Sequence, residues 1–150
     1  MIVYRDKSNP LYKTDAKLFI KEAKQFSFKK ILLHTDIYLA QELQADGIHL
    51  TSKDIINTPQ AKALNLFTIV STHSIKEAQQ AQALGADMIT FSPIFDTPNK
   101  GKPIGLEPLI ELINIVNIPV IALGGIITPY HIKQCQEARA IGFASIRYFL

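Results

Sequence analysis

The chain has 150 residues, of which 47% are apolar, with one cysteine and a formal net charge of +3. This is enough for one domain with a real core, and it excludes a disordered chain or a disulfide framework. Lys and Arg are scattered among Asp and Glu without a basic block or interleaved aromatics, which argues against nucleic acid and favours small anionic partners. Cys135 has no partners for a cysteine-based metal site. No apolar run of about 18 residues and no N-terminal signal segment occur, so a soluble, cytoplasmic protein without membrane contact is expected.

In chain order, short aliphatic or β-branched runs at Ile2–Tyr4, Lys30–His34, Gly47–Leu50, Phe67–Ser71, Met88–Ser92, Pro119–Leu123 and Ile141–Ile146 predict seven strands. Helical spacing fills Asp15–Phe26, Ile37–Gln44, Thr58–Leu64, Ile75–Leu84, Leu106–Val116 and Pro129–Glu137. Thr14 and Thr128 are candidate N-caps, and Gly85 and Asn117 candidate stops. Strict alternation of strand and helix predicts parallel strands in an α/β fold. Strands as apolar as Val120-Ile121-Ala122-Leu123 belong to a sheet covered on both faces, either doubly wound or a βα barrel.

Polar residues gather where strands end and helices begin: His34-Thr35-Asp36, Thr51-Ser52-Lys53-Asp54, Ser71-Thr72-His73-Ser74 and Ser92-Pro93. In α/β enzymes that is the side of the sheet where the chemistry lies. Arg5 and Lys7, two apart on a strand, face the same way and can clamp a diphosphate. His73, after a buried run and among hydroxyls, has the chemistry of an acid/base residue, although Ser71 and Ser74 also suit helix capping. His49, inside an apolar strand, reads as a core histidine with its hydrogen bonds satisfied. Gly124-Gly125 after a buried strand lets backbone N–H groups approach an anion.

Tyr4-Arg5-Asp6-Lys7, Ala45-Asp46-Gly47-Ile48-His49-Leu50, Ser71-Thr72-His73-Ser74, Gly85-Ala86-Asp87, Ser92-Pro93-Ile94-Phe95 with the Thr97-to-Lys100 loop, and Pro119 to Ile126 follow one another across nearly the whole chain. In that order and spacing they resemble the thiamine phosphate synthase and TenI superfamily. The resemblance implies a TIM-barrel-like fold lacking the first βα unit, a single domain over 1–150, seven parallel strands and exposed sheet edges through which the chain forms a homo-oligomer. The apolar tail Tyr148-Phe149-Leu150 then covers the gap, packs on a second subunit or begins a shortened helix.

For function, the resemblance implies thiamine biosynthesis and two enzymatic readings. The first is a TenI-like tautomerase acting on a thiazole phosphate carboxylate, with His73 as proton shuttle and no cofactor. The alternative is a divergent synthase that joins pyrimidine diphosphate to thiazole phosphate, with Mg²⁺. There Arg5, Lys7 and Lys100 hold pyrophosphate, Ser71 the reacting groups, and Asp54 the metal. Either way Thr97, Asn99 and Lys100 form a loop over the substrate, and Gly124, Gly125, Ile146 and Arg147 the phosphate site. Val3 stands where the synthases have a pyrimidine-binding glutamine, and His34-Thr35 where they carry Asn-Asp. A third reading is a noncatalytic protein that binds a phosphorylated ligand.

Overall fold

The computed structural model describes residues 1–149. Seven strands, β1 (Ile2–Tyr4), β2 (Ile31–His34), β3 (Gly47–Leu50), β4 (Phe67–Thr72), β5 (Met88–Phe91), β6 (Val120–Leu123) and β7 (Gly142–Ala144), form one sheet in sequence order. Every neighbouring pair is parallel. Helices α1 (Tyr12–Ala23), α2 (Ile37–Glu42), α3 (Thr58–Ala63), α4 (Ile75–Ala83), α5 (Leu106–Ile115) and α6 (Pro129–Glu137) join them. This is the expected TIM-barrel-like α/β fold, and β1 and β7 are each paired on one side, so among the described residues the sheet is open.

The period-2 alternation of each strand divides its side chains between two faces. Ile31 and Leu33, Ile48 and Leu50, Val70, Ile89 and Phe91, and Val120 and Ala122 turn outward into the main core against the helices. The helices meet them largely with alanine (Ala16, Ala40, Ala61, Ala78, Ala81), which lets helix and sheet backbones approach closely. On the other face Leu32, Ile69 and Ile121 are also buried, outside that cluster. The sheet is therefore curled enough to cover its own concave side. The same face carries two polar register pairs, His34 beside His49 and Ser71 beside Thr90.

Two motif aspartates hold the opposite end of the sheet together. Asp46, just before β3, accepts the backbone N–H of Ile31 at 2.7 Å, and Asp87, just before β5, accepts that of Thr68 at 2.7 Å while pairing with Lys62 at 2.6 Å.

Element boundaries moved for local reasons. α1 begins at Tyr12, ahead of the expected cap Thr14, because Asn9 starts the turn: its side-chain oxygen accepts the Leu11 N–H at 2.8 Å. Tyr12 then packs on Tyr4, ring centroids 5.1 Å apart. A 3₁₀ segment, Ser52–Asn57, precedes α3 and was not expected. Thr128 caps α6 as expected, accepting from His131 N–H at 3.2 Å. β7 ends at Ala144, short of Ile146, because Ser145 turns its hydroxyl onto the Ile126 carbonyl at 2.8 Å and accepts the Tyr148 N–H at 3.2 Å. That turn folds Tyr148 and Phe149 back on Phe143, at centroid distances of 5.6 and 6.0 Å. No helix begins there among the described residues, and Leu150 of the expected apolar tail lies outside them. No helix among the described residues is long and apolar enough to cross a membrane.

Candidate active site

The C-terminal ends of β1, β2 and β3 open into a cleft of about 530 Å³ lined by Asp6, Lys7, Asn9, Tyr12, His34, Thr35, Asp36, Thr51, Lys53 and Asp54. Each acidic wall residue has a local hydrogen bond. Asp36 caps α2, accepting Leu39 N–H at 2.9 Å through Oδ1, and Asp54 Oδ2 accepts from the Thr51 hydroxyl. Asp6 accepts from the backbone and hydroxyl of Ser8 at 3.3 and 3.2 Å. The Thr35 hydroxyl is turned onto the His34 carbonyl at 2.8 Å, away from a ligand role. The Tyr12 oxygen lies 3.3 Å from the carbonyl oxygens of Tyr4 and His34 and accepts the His34 N–H at 3.2 Å, which ties α1 to the ends of both strands.

A neutral polar row continues from the cleft across the concave face. His34 packs edge-on against His49, with centroids 5.7 Å apart, and His49 Nε2 is 2.9 Å from Ser71 Oγ. Burial, then the neighbouring His49 and the charges of Arg5 and Lys7, hold the His34 imidazole down to about 4 against an opposing pull from Asp54. Burial and Arg5 hold His49 down to about 4 as well. Both rings are uncharged at neutral pH. Arg5 is thus felt by both histidines, although it is not a wall of the cleft itself. His49 is satisfied, as expected, but through Ser71 and on the concave face. Thr90, the register partner of Ser71, has a buried hydroxyl with no hydrogen-bond partner among the described residues.

His73 follows β4 directly and is exposed. Its Nδ1 is 2.7 Å from the Ser92 carbonyl. A carbonyl only accepts, so Nδ1 carries the proton and Nε2 of the neutral ring is the free acceptor. Ser74 caps α4 by accepting Glu77 N–H at 3.2 Å, and Glu77 returns to the His73 N–H at 2.6 Å. The capping role and the free imidazole nitrogen therefore coexist.

The remaining candidates share the C-terminal edge of the sheet but are not among the cleft walls. Thr97 to Lys100 form a turn closed by Lys100 N–H to the Thr97 carbonyl at 3.2 Å, with Asn99 and Lys100 exposed. Gly124 and Gly125 both have positive φ. A β-carbon on Gly124 would lie 2.7 Å from Pro93 Cα, and one on Gly125 2.5 Å from the Asp96 carbonyl, so the two glycines seat the β5–α5 loop. Ile146 and Arg147 are exposed in the turn after β7. Asp6 and Lys53 stand in the motifs read from the sequence but are given no role there, although they adjoin Lys7 and Asp54. Tyr12 and Thr90 carried no signal that separates them from packing residues.

Parallel strands with their polar residues collected at the C-terminal edge define the class of βα-barrel enzymes. A family model described as thiamine monophosphate synthase matches residues 1–149, and the chain belongs to that family. It is 42% identical over 128 residues to the putative thiamine-phosphate synthase 2 of Aquifex aeolicus, and the match covers 82% of this chain and 68% of that protein. A thiamine-phosphate synthase of Roseiflexus sp. is 36% identical over 121 residues, covering 77% of this chain and 51% of the relative. The thiamine phosphate pyrophosphorylase structure from Pyrococcus furiosus superposes with a TM-score of 0.84 at 28% identity, covering 97% of this chain and 71% of that one. The chain thus spans about half to two thirds of the length of these curated relatives.

Proposed function

We propose that the chain catalyses the synthase reaction, joining a pyrimidine diphosphate to a thiazole phosphate with release of pyrophosphate. The observation that carries this reading is the cleft at the ends of β1–β3, where Lys7 and Lys53 stand with Asp6, Asp36 and Asp54. A diphosphate leaving group gains charge as its bond breaks, and cations together with hard oxygen donors are what neutralise it. A proton-shift enzyme has no such requirement. The names of the related proteins point the same way.

Mg²⁺ binds through one or two carboxylates, water and substrate phosphate. Asp54 and Asp36 fit that role, because each keeps one carboxylate oxygen outside its local hydrogen bond. No three metal-ligating side chains converge among the described residues, so the ligand's own oxygens would have to complete the ion's shell. Bound there, Mg²⁺ would stabilise charge on the departing pyrophosphate. Arg5 and Lys7 orient the diphosphate, while Ser71 and His49 present an uncharged hydrogen-bonding edge to the heterocycle. The Thr97–Lys100 turn, with Asn99, covers the anion and excludes water. Gly124 and Gly125, beside the capped start of α6, hold the second phosphate, with Ile146 and Arg147 at its border.

One observation favours the tautomerase as a second reading. His73 has its Nδ1 proton committed to Ser92 and Nε2 free, which is the form a proton shuttle needs, and no metal is involved. ³¹P NMR of the protein with thiazole carboxylate phosphate, pyrimidine diphosphate and Mg²⁺ separates the readings. Pyrophosphate release with thiamine phosphate formation is expected. Conversion of the thiazole tautomer alone would replace the synthase by the tautomerase, and no turnover would leave a binding protein.

A further inference from the structure

The chain has no unbroken basic block, yet one stretch concentrates its lysines. Residues 16–30 carry Lys17, Lys21, Lys24, Lys29 and Lys30 against a single acid, Glu22, a surplus of four positive charges. The whole chain carries +3, so everything outside this stretch sums to one net negative charge. Lys17, Lys21, Lys24 and Lys29 are exposed, and none of the five enters an ion pair among the described residues. Lys30 is half-buried, its ammonium 5.3 Å from the centre of the Phe67 ring. Glu22 accepts from the Gln25 amide at 3.2 Å.

Apolar side chains stand among these cations. Leu18 is 57% exposed on the outer side of α1, one turn from Lys21. Phe26, 66% exposed, and Phe28, 39% exposed, follow in the turn to β2 with their rings 6.0 Å apart. The Lys30 carbonyl accepts the Ile2 N–H at 3.0 Å, which fixes this turn at the N-terminal edge of the sheet, across the molecule from the β1–β3 cleft. Exposed aromatic surface rimmed by charge marks a contact site. Two features select the contact. Every cation is a lysine, and none of the chain's three arginines is among them. Protein interfaces enrich arginine and deplete lysine, whereas compact ammonium groups suit the diffuse charge of an anionic bilayer. The phenylalanines also protrude from a turn and line neither the β1–β3 cleft nor the smaller cavity beside Arg139, which suits insertion between lipid headgroups.

We propose that the outer face of α1 and the turn after it dock the folded chain on an anionic lipid surface, with the lysines over the headgroups and Leu18, Phe26 and Phe28 at the boundary with the acyl chains. The cleft, at the other end of the sheet, stays open to water. Surface docking needs no spanning helix, so it departs from the absence of membrane contact expected from the sequence while agreeing with the lack of such a helix among the described residues. It is independent of the reaction that the cleft carries out.

The chain has no tryptophan, so Phe26→Trp and a control at the exposed start of α6, Tyr130→Trp, each introduce a single fluorophore. On vesicles of equal parts phosphatidylglycerol and phosphatidylcholine at low salt, emission from Phe26→Trp should shift to the blue and be quenched by brominated acyl chains, with Tyr130→Trp unchanged. The unaltered chain should co-sediment with these vesicles but not with pure phosphatidylcholine, and salt should weaken binding by screening. Lys21→Gln and Lys24→Gln should each weaken it about fivefold, the effect of one lysine near an anionic surface. The double variant Phe26→Ser/Phe28→Ser should weaken it about tenfold or more through lost apolar burial. Circular dichroism checks that the variants fold, and if the double variant does not, the unaltered chain and the two tryptophan spectra decide. Absence of binding to the anionic vesicles, or equal shifts in both tryptophan variants, overturns the proposal. Equally strong binding to polyglutamate, untouched by the phenylalanine changes, also overturns it and assigns the face to an acidic protein.

Discussion

His73 combines two tasks in one residue, since its backbone N–H anchors Glu77 while its ring is held by Ser92 with Nε2 free. His73→Gln leaves the backbone bond in place and removes the titrating nitrogen. Under the tautomerase reading, conversion of the thiazole tautomer should fall by about 10²- to 10⁴-fold with ligand affinity unchanged, as for loss of a general acid/base, and equal conversion in the variant would take His73 out of that mechanism. Thr90 poses the opposite problem, a buried hydroxyl (the residue is 4% exposed) without a hydrogen-bond partner among the described residues. Thr90→Val keeps the shape and removes the unpaired group, so urea denaturation should show a gain of roughly 1–2 kcal/mol. A loss of stability would mean that the hydroxyl has a bound partner in solution.

At the scale of elements, the motif glycine before Ile48 works through closeness. A β-carbon on Gly47 would lie 2.0 Å from the carbonyl oxygen of Phe67, a backbone atom of β4 that cannot swing aside. Gly47→Ala should therefore cost at least about 3 kcal/mol by forcing β3 and β4 apart, measured by thermal or urea unfolding. A cost under 1 kcal/mol, the size of ordinary surface changes, would show that the strands separate easily. The aspartates of Ala45-Asp46-Gly47 and Gly85-Ala86-Asp87 belong to the same structural set. They bind the N-terminal ends of β2 and β4, on the side of the sheet away from the cleft, where residues serve stability and not chemistry.

Two properties belong to the whole molecule. His34 and His49 are neutral in the folded chain down to about pH 4, while the unfolded chain protonates them near 6.5. Between those values the unfolded state binds more protons, so stability falls as the pH is lowered through that window and is restored above it. Comparing urea unfolding at pH 7 and 4.5, His49→Gln should lose about 2 kcal/mol less than the unaltered chain, and identical losses would contradict a neutral buried His49. The open edges at β1 and β7 present unpaired strand backbone next to exposed Ile141, Ile146 and Phe149. Such edges seek partners. Light scattering after size exclusion should give a multiple of the 16.8 kDa chain mass, and a value at 16.8 kDa would refute self-association.

The sequence by itself determined the architecture. Apolar runs of strand length alternating with helical spacing predict parallel strands covered on both faces, and all seven strands and six helices form where that patterning lies, while the choice between a doubly wound and a barrel-like sheet rests on the strand order β1 to β7. It also marked the polar strand ends from which Lys7, Asp54, Ser71 and His73 project. Helix starts were less legible: a side chain upstream, Asn9, began α1 in place of Thr14. What only the tertiary structure decided is which polar groups meet. Lys7 and Asp54 share a cleft with Asp6, Lys53 and Tyr12, whereas Lys100, Gly124 and Arg147 lie apart from it. His49 finds Ser71 across a strand pair, and His34 packs edge-on against His49. Periodicity places a residue on a face, but a hydrogen bond depends on the curl of the sheet and the path of the loops, which are set by contacts between residues far apart in the chain.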